Sequence, residues 1–503
     1  MTLQAEVSPP SAFALSRDVL ESLVAFLESA DAAAIGHGEL EDAVEERGRA
    51  LLRQLYQDHL DLRAERERRL PEVVDAQGVP RGAAEPSHKR ALATVFGPVE
   101  VRRIAYRSRG QENLYPADGL LNLPTEKHSH GIRRLCAIES ARGSFDSAVE
   151  AIGRASGQKL GKRQVEELAQ AAAADFDTYY ASREPLAGDP GDVVVVSCDG
   201  KGVVMRHDAL RSTTAEAAAR GSSKLATRLS KGEKRNRKRM AEVGAVYDAA
   251  PAPRNPSDIL PATDEQRRSA APGPVTKSKW LVASVVRPAA SVVSEVFDEA
   301  ERRDPDHART WVALVDGNNH QLRRIAAEAD ARQVTVSVLV DFIHVLEYLW
   351  KAVWSFHQEG DPTAEEWVRK HASAVLAGKA TKVAGAIRRA ATKAGLEPPK
   401  RSGADSCAAY LSNKAPFLDY PQALNRGWPI ATGVIEGACR HLVKDRLDLT
   451  GARWGLEGAE AVLKLRALRS NGDFAAYWRF HIAQERLRVH ESRYANNLIP
   501  GAA

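Results

Sequence analysis

The chain has 503 residues, 44% hydrophobic and 27% charged, with a formal net charge of +5. At roughly 150 residues per domain this length predicts two to four folding units, and the composition excludes a collagen-like, low-complexity or disulfide-dense chain. The longest purely apolar runs, such as Val193 to Val196, fall far short of the roughly 20 residues a membrane span needs. The segment Met1 to Glu6 carries no basic-then-apolar leader, so the expectation is a soluble, cytoplasmic protein with no membrane partner.

Residues 1–75 read as helical. Leu20, Leu23, Val24 and Leu27 share one face, and Leu40, Val44, Leu51 and Leu55 share another on a second, longer helix. The dense mixed charge on that second helix is typical of an exposed or coiled-coil surface. Residues 76–190 begin with a hairpin, Ala93 to Phe96, then a Gly97-Pro98 turn, then Val99 to Tyr106. Ser144 is placed to cap a helix carrying Phe145, Val149 and Ile152 on one side. A second helix from about Lys162 turns Val165, Leu168 and Ala172 inward. Two short helices across a Gly-containing turn, with Lys159, Lys162 and Arg163 near the start of the second, fit a helix-turn-helix that reads DNA.

At Gly191 the pattern changes to strands. Asp192 to Cys198 is a buried strand ending on Asp199, and Gly202 to Arg206 is a second strand after a tight turn at Asp199-Gly200. Between Arg220 and Arg239 stand nine basic residues, among them Lys231, Lys234, Arg235, Arg237, Lys238 and Arg239, against the single acid Glu233. Such a cluster neutralises phosphates, which makes nucleic acid the partner to expect. With the Pro- and Ala-rich stretch after it, residues 207–275 read as a basic, disordered insertion. Three more strands follow, at 279–286, 311–317 and 333–341, the last two ending on Asp316 and Asp341. Phe342 to Phe356 is an aromatic-rich helix, 357–425 a helical insertion with basic faces, and the chain is helical again from Ala431 to about Arg488. Residues 489–503 form a tail.

Cys136, Cys198, Cys407 and Cys439 contain no C-x-x-C pair and read as reduced, buried thiols. No G-x-x-x-x-G-K-[ST] loop is present, so no nucleotide cofactor is expected. The acids are the informative groups. Asp199 and Asp316 fall at strand ends, the edge at which ligands collect in open α/β sheets. Glu436 follows Gly433 near the start of a helix. Three carboxylates suit two hard divalent cations, Mg²⁺ or Mn²⁺, and a pair of such ions supports in-line phosphodiester displacement. Arg453-Trp454 pairs a guanidinium with a ring suited to stacking on an unpaired base.

Four separated segments occur together and in order: Ser197-Cys198-Asp199-Gly200-Lys201-Gly202; Val315-Asp316-Gly317-Asn318-Asn319-His320; Asp341-Phe342-Ile343-His344; and Thr432-Gly433-Val434-Ile435-Glu436-Gly437-Ala438-Cys439-Arg440, with Thr450-Gly451-Ala452-Arg453-Trp454 beyond it. They resemble bacterial insertion-sequence transposases of the Mutator-like kind, nearest the ISKra type, over roughly residues 190–480. The resemblance implies a multidomain α/β chain with an RNase H-like catalytic domain at 191–488. That domain is a mixed five-stranded sheet with flanking helices and a large helical insertion, preceded by the helical, hairpin and helix-turn-helix regions. It also implies a D-D-E site of Asp199, Asp316 and Glu436 holding two metal ions, with Asp341 and His344 as auxiliary residues beside it. Asp341 also ends a strand and stands as the alternative second metal ligand. The expected activity is cleavage and strand transfer at an element's terminal inverted repeats by a nucleoid-associated multimer on DNA. The alternatives are a nuclease of the same core without strand transfer, and a catalytically inactive, domesticated DNA-binding protein.

Overall fold

A computed structural model describes residues 12–186, 188–220, 237–449 and 451–501. The chain divides into two compact units: one runs to Ala181 and takes in the chain from Asp473 onward, the other spans Ser182–Gly472. Among the described residues no helix is long and apolar enough to cross a membrane.

The first unit opens with helices Ala14–Leu27 and His37–Arg66, the latter a single helix of 30 residues. Strands β1 (Ala83–Thr94) and β2 (Gly97–Arg107) form an antiparallel hairpin. Its turn is Val95-Phe96, not the expected Gly97-Pro98, because Thr94 pairs directly with Gly97. Gly97 has φ +131°, a conformation open to glycine and strained for other residues, so it serves as the first residue of the returning strand. Beyond the hairpin, three helices, His130–Arg142, Phe145–Ser156 and Lys162–Ala172, enclose Ile132, Cys136, Ile152, Val165 and Leu168. Ser144 caps the second of them as expected, and Gly157 ends it at φ 67°.

The last long helix, Phe474–Val489, belongs to this unit and not to the sheet-bearing one. It buries Tyr477, whose hydroxyl donates to the Ala172 carbonyl at 2.7 Å, and His481, whose Nδ1 lies 2.6 Å from Asp175. Arg133 and Glu485 pair beside them. Helical periodicity marks a face for burial but does not say which surface receives it, so the expected boundary at 488 falls a helix too late.

The second unit is built on a mixed five-stranded sheet: β3 (Val193–Val204), β4 (Lys238–Ala250), β5 (Val275–Ser284), β6 (Trp311–Val315) and β7 (Val336–Val340), in the order β5-β4-β3-β6-β7. β3, β4 and β5 are antiparallel; β6 and β7 run parallel to β3. Five strands were expected, but two of the expectations are corrected. The turn at Asp199-Gly200 is absent: β3 runs straight through, with Asp199 opposite Val243 and Gly202 opposite Met240. The two strands read at 192–199 and 202–206 are therefore one. The fifth strand is β4, which lies inside the stretch read as a disordered insertion. The basic run before it and the proline-rich run after it hide Ala241 to Tyr247, a buried segment of strand-forming side chains.

The two faces of the sheet carry different layers. Val195, Tyr247, Val312, Leu314 and Leu339 join Phe342, Val345 and Leu349 of helix Phe342–Val353, and with them the insertion helices Thr363–Leu376, Ala380–Lys393 and Pro398–Asn413. Helix Ala289–Arg303 approaches the sheet at Gly244, where a Cβ would stand 2.4 Å from Val296 Cγ2. Only glycine permits that helix to pack so closely.

Candidate active site

The parallel registers bring three aspartates level. β3 and β6 pair Val194 with Trp311, Val195 with Val312 and Val196 with Ala313; three residues further along each chain stand Asp199 and Asp316. β6 and β7 pair Val315 with Val340, and one residue further stand Asp316 and Asp341. Residues level in register point to one side of a sheet. Asp199, Asp316 and Asp341 share alternation with Val195, Val312, Leu314 and Leu339, and so belong to the face that carries the insertion helices. Glu436 lies in helix Gly433–Ala438, which continues as a π-helical stretch, Cys439–Lys444. Such stretches recur where a helix is bent to place functional side chains.

The fourth acid is tied to the sheet through its own helix. Cys439, three residues after Glu436 and so on nearly the same helical face, donates its thiol proton to Asp199 Oδ2 at 3.2 Å. Burial, and then the charge of Asp199, push the Cys439 thiol above its ordinary range, so it stays a neutral donor. Thr432 bridges two of the other acids: its hydroxyl bonds Asp341 Oδ2 and lies 3.3 Å from Glu436 Oε1. Asp341 is fully buried, and its second oxygen accepts the Ile343 amide at 2.9 Å. Asp199 Oδ1 accepts the Gly200 amide at 2.6 Å, and Asp316 Oδ1 the Asn318 amide at 2.7 Å.

None of these four carboxylates is ion-paired among the described residues; their partners are amides, a hydroxyl and a thiol. The buried cation nearby, Lys414, passes beneath Gly317 and gives its ammonium to Asn319 Oδ1, not to an acid. Each carboxylate turns toward a local donor, and among the described residues no three His, Cys, Asp or Glu side chains are gathered closely enough to hold an ion. Among the described residues the edge thus presents aligned carboxylates, linked through Thr432 and Cys439, with no cation paired to them.

Other expected site residues separate into distinct fates. His344 is half-buried one turn beyond Asp341, and its Nδ1 faces Glu347 Oε2 at 3.4 Å. Trp454 is not a stacking platform: it is buried, donates Nε1 to the Leu447 carbonyl at 3.0 Å and lies beneath the Arg446 guanidinium. Its backbone adds to β3 beside Met205, and an indole in that setting is core. Its neighbour Arg453 is exposed. Arg239 is also structural, with Nε donating to the Val285 carbonyl at 2.6 Å. Lys238 lies on β4 opposite Val204, and Arg237 immediately precedes that strand. Lys231, Lys234 and Arg235 lie outside the described residues. Near the start of helix Lys162–Ala172, Lys162 pairs with Asp146 and Arg163 with Glu167, all exposed, and Lys159 is exposed.

Sequence reasoning missed Thr432, Cys439 and Lys414. The first two stand four residues before and three after Glu436, spacings that put a side chain one helical turn away. Lys414 had no such signal, since it arrives from the far end of the helical insertion. Compared with known proteins, the chain matches no family model and no curated protein.

Proposed function

We propose that this chain is a DNA transposase with an RNase H-like catalytic domain, acting through Asp199, Asp316 and Glu436. One observation carries the reading: Asp199 within β3 stands level with Asp316 and Asp341, each one residue beyond its strand, Glu436 is linked to Asp341 through Thr432, and among the described residues none of the four has a cationic partner. A mixed five-stranded sheet flanked by helices, with a large helical insertion, is the architecture that the sequence resemblance implies. The donor set fits a hard divalent cation, since it consists of carboxylate and hydroxyl oxygens and its adjacent thiol stays protonated. Mg²⁺ or Mn²⁺, when bound, supplies the charge that activates a water or 3′-hydroxyl and stabilises the leaving oxygen.

The protein's own residues divide that work. Asp199 and Asp316 offer oxygens from the rigid sheet. Glu436 offers one from a helix whose position Cys439 and Thr432 fix. Asp341 is fully buried with both oxygens engaged, whereas Asp199 and Asp316 are only half-buried, which favours Asp316 over Asp341 as the second ligand and leaves Asp341 as a support for Thr432. The self-associated form on DNA, and a nucleoid-associated location, belong to the same proposal.

The test uses DNA from both flanks of the gene, incubated with the purified chain and Mg²⁺ or Mn²⁺. Metal-dependent nicks at a repeat boundary, with joined products, are expected from the wild type and not from Asp199→Asn. Scattered nicks without joining would replace the transposase with a nuclease. Binding without cleavage in either protein would leave an inactive DNA-binding protein.

A further inference from the structure

A run of unpaired positive charge among the described residues lies on helix Ala380–Lys393 of the insertion. From Gly378 to Leu396 the chain carries five basic residues, Lys379, Lys382, Arg388, Arg389 and Lys393, and no acid, in a protein otherwise nearly balanced in charge. All five are exposed. The neighbouring Arg401 meets Asp405 at 3.0 Å, whereas none of these five has an ion-pair partner among the described residues.

Helical geometry sorts them. Val383, Ala384, Ile387 and Ala391 are buried against the unit's core. At about 100° per residue, Lys382, Arg389 and Lys393 project from the opposite side, separated by about 10 Å and 6 Å along the axis, with Arg388 and Lys379 on the flanks. A solvated helix that needed charge only for solubility would gain from i, i+4 pairs of opposite sign. This one has none within itself. Three aligned cations at such spacings match the reach needed to contact successive phosphates of a nucleic-acid backbone.

We propose that this ridge of Lys382, Arg389 and Lys393 binds the phosphate backbone of duplex DNA without regard to sequence. It gives the catalytic unit its own grip on DNA, separate from the helices of the first unit. The ridge carries no aromatic or amide side chain suited to base edges, so it contributes affinity and salt dependence and no specificity. The inference rests on the reading of this chain as a DNA-acting protein.

The experiment measures binding of the full chain to a fluorescent random-sequence 20-base-pair duplex by anisotropy across a salt series. The triple variant Lys382→Gln, Arg389→Gln, Lys393→Gln is compared with wild type and with the charge-conserving Lys382→Arg, Arg389→Lys, Lys393→Arg. At about 0.9 per phosphate contact, the neutral variant is expected to lose about 2 to 3 from the slope of log affinity on log salt. Between 50 and 200 mM salt, wild-type affinity then falls about 40-fold further than the variant's. The charge-conserving variant keeps the wild-type slope, and both variants keep the wild-type thermal midpoint. An unchanged slope in the neutral variant, while the protein still binds and cleaves DNA, overturns this inference alone. Absence of any DNA binding overturns it together with the proposed function. Loss of binding to vesicles containing anionic lipid, with DNA binding intact, reassigns the ridge to a membrane surface and also overturns it.

Discussion

The two ends of the five-stranded sheet each hold a cluster of acids and treat them in opposite ways. At the end where β3 begins, Asp192 receives Lys277 at 2.9 Å, and Asp248 receives Arg303 at 3.0 Å and Arg309 at 2.6 Å. Glu299 receives Arg302 and Arg303, both at 2.8 Å. Toward the other end, Asp199, Asp316, Asp341 and Glu436 meet, among the described residues, only amides, a thiol and a hydroxyl. The first cluster is neutralised by its own protein and works as a structural clasp. The second has no ion-pair partner among the described residues, an arrangement that proteins tolerate where a ligand supplies the opposite charge.

Substitutions at the two ends should therefore fail differently. The largest effect belongs to the unpaired end: Asp199→Asn and Asp316→Asn are expected to lower metal-dependent strand cleavage by about 10³-fold or more, the worth of several kcal/mol of metal-supplied stabilisation. Duplex affinity and thermal midpoint should stay near wild type. A variant that lost folding along with cleavage would erase the contrast between the ends. At the paired end, Asp248→Ala strands the almost fully buried Arg309 guanidinium and leaves Arg303 with Glu299 as its remaining carboxylate, and should cost about 3–5 kcal/mol in denaturant unfolding. An unfolding loss under about 1 kcal/mol there would show that the clasp is dispensable.

Smaller effects sharpen the comparison. Thr432→Val removes the hydroxyl between Asp341 and Glu436 and keeps the side chain's shape. It should weaken Mn²⁺ affinity and cleavage together by about 10- to 100-fold, while Thr432→Ser restores most of both. The smallest effect is one of pH. Burial pushes the Glu299 carboxyl up, but the hydrogen bond from Arg302 and the charge of Arg303 outweigh it and hold the group below its ordinary range. A carboxyl depressed in the folded state adds stability above its unfolded value, about 4.3, and loses it as pH falls through the folded value. Thermal midpoints should thus drop below about pH 4.5, and Glu299→Gln should flatten that drop.

Much of this was legible in the sequence, for local reasons. The apolar runs Val193 to Val196 and Trp311 to Val315 announce buried strands, and Asp316 and Asp341 end theirs as expected. The level placement of Asp199, Asp316 and Asp341 was not legible, because register depends on pairing between distant segments. Asp199 was misread as a strand end because Gly200 and Gly202 look like a turn. In the structure they are thin places in a strand, where added Cβ atoms would meet the Met240 and Lys238 side chains of β4 at 2.9 and 2.8 Å. β4 itself was concealed by the composition on both sides of it. Trp454 was open to a surface reading because its burial depends on β3, some 250 residues earlier in the chain.

Mn²⁺ binding tests, without requiring any DNA substrate, the proposed role of the acidic edge in taking a divalent cation. Bound Mn²⁺, counted by loss of its free electron paramagnetic signal on titration into the full chain, should be clear for the wild type. It should be strongly reduced in Asp199→Asn and in Asp316→Asn, and unaltered in Glu299→Gln at the opposite end of the sheet. Absence of binding by the wild type, or equal binding by wild type and Asp199→Asn, would contradict the account.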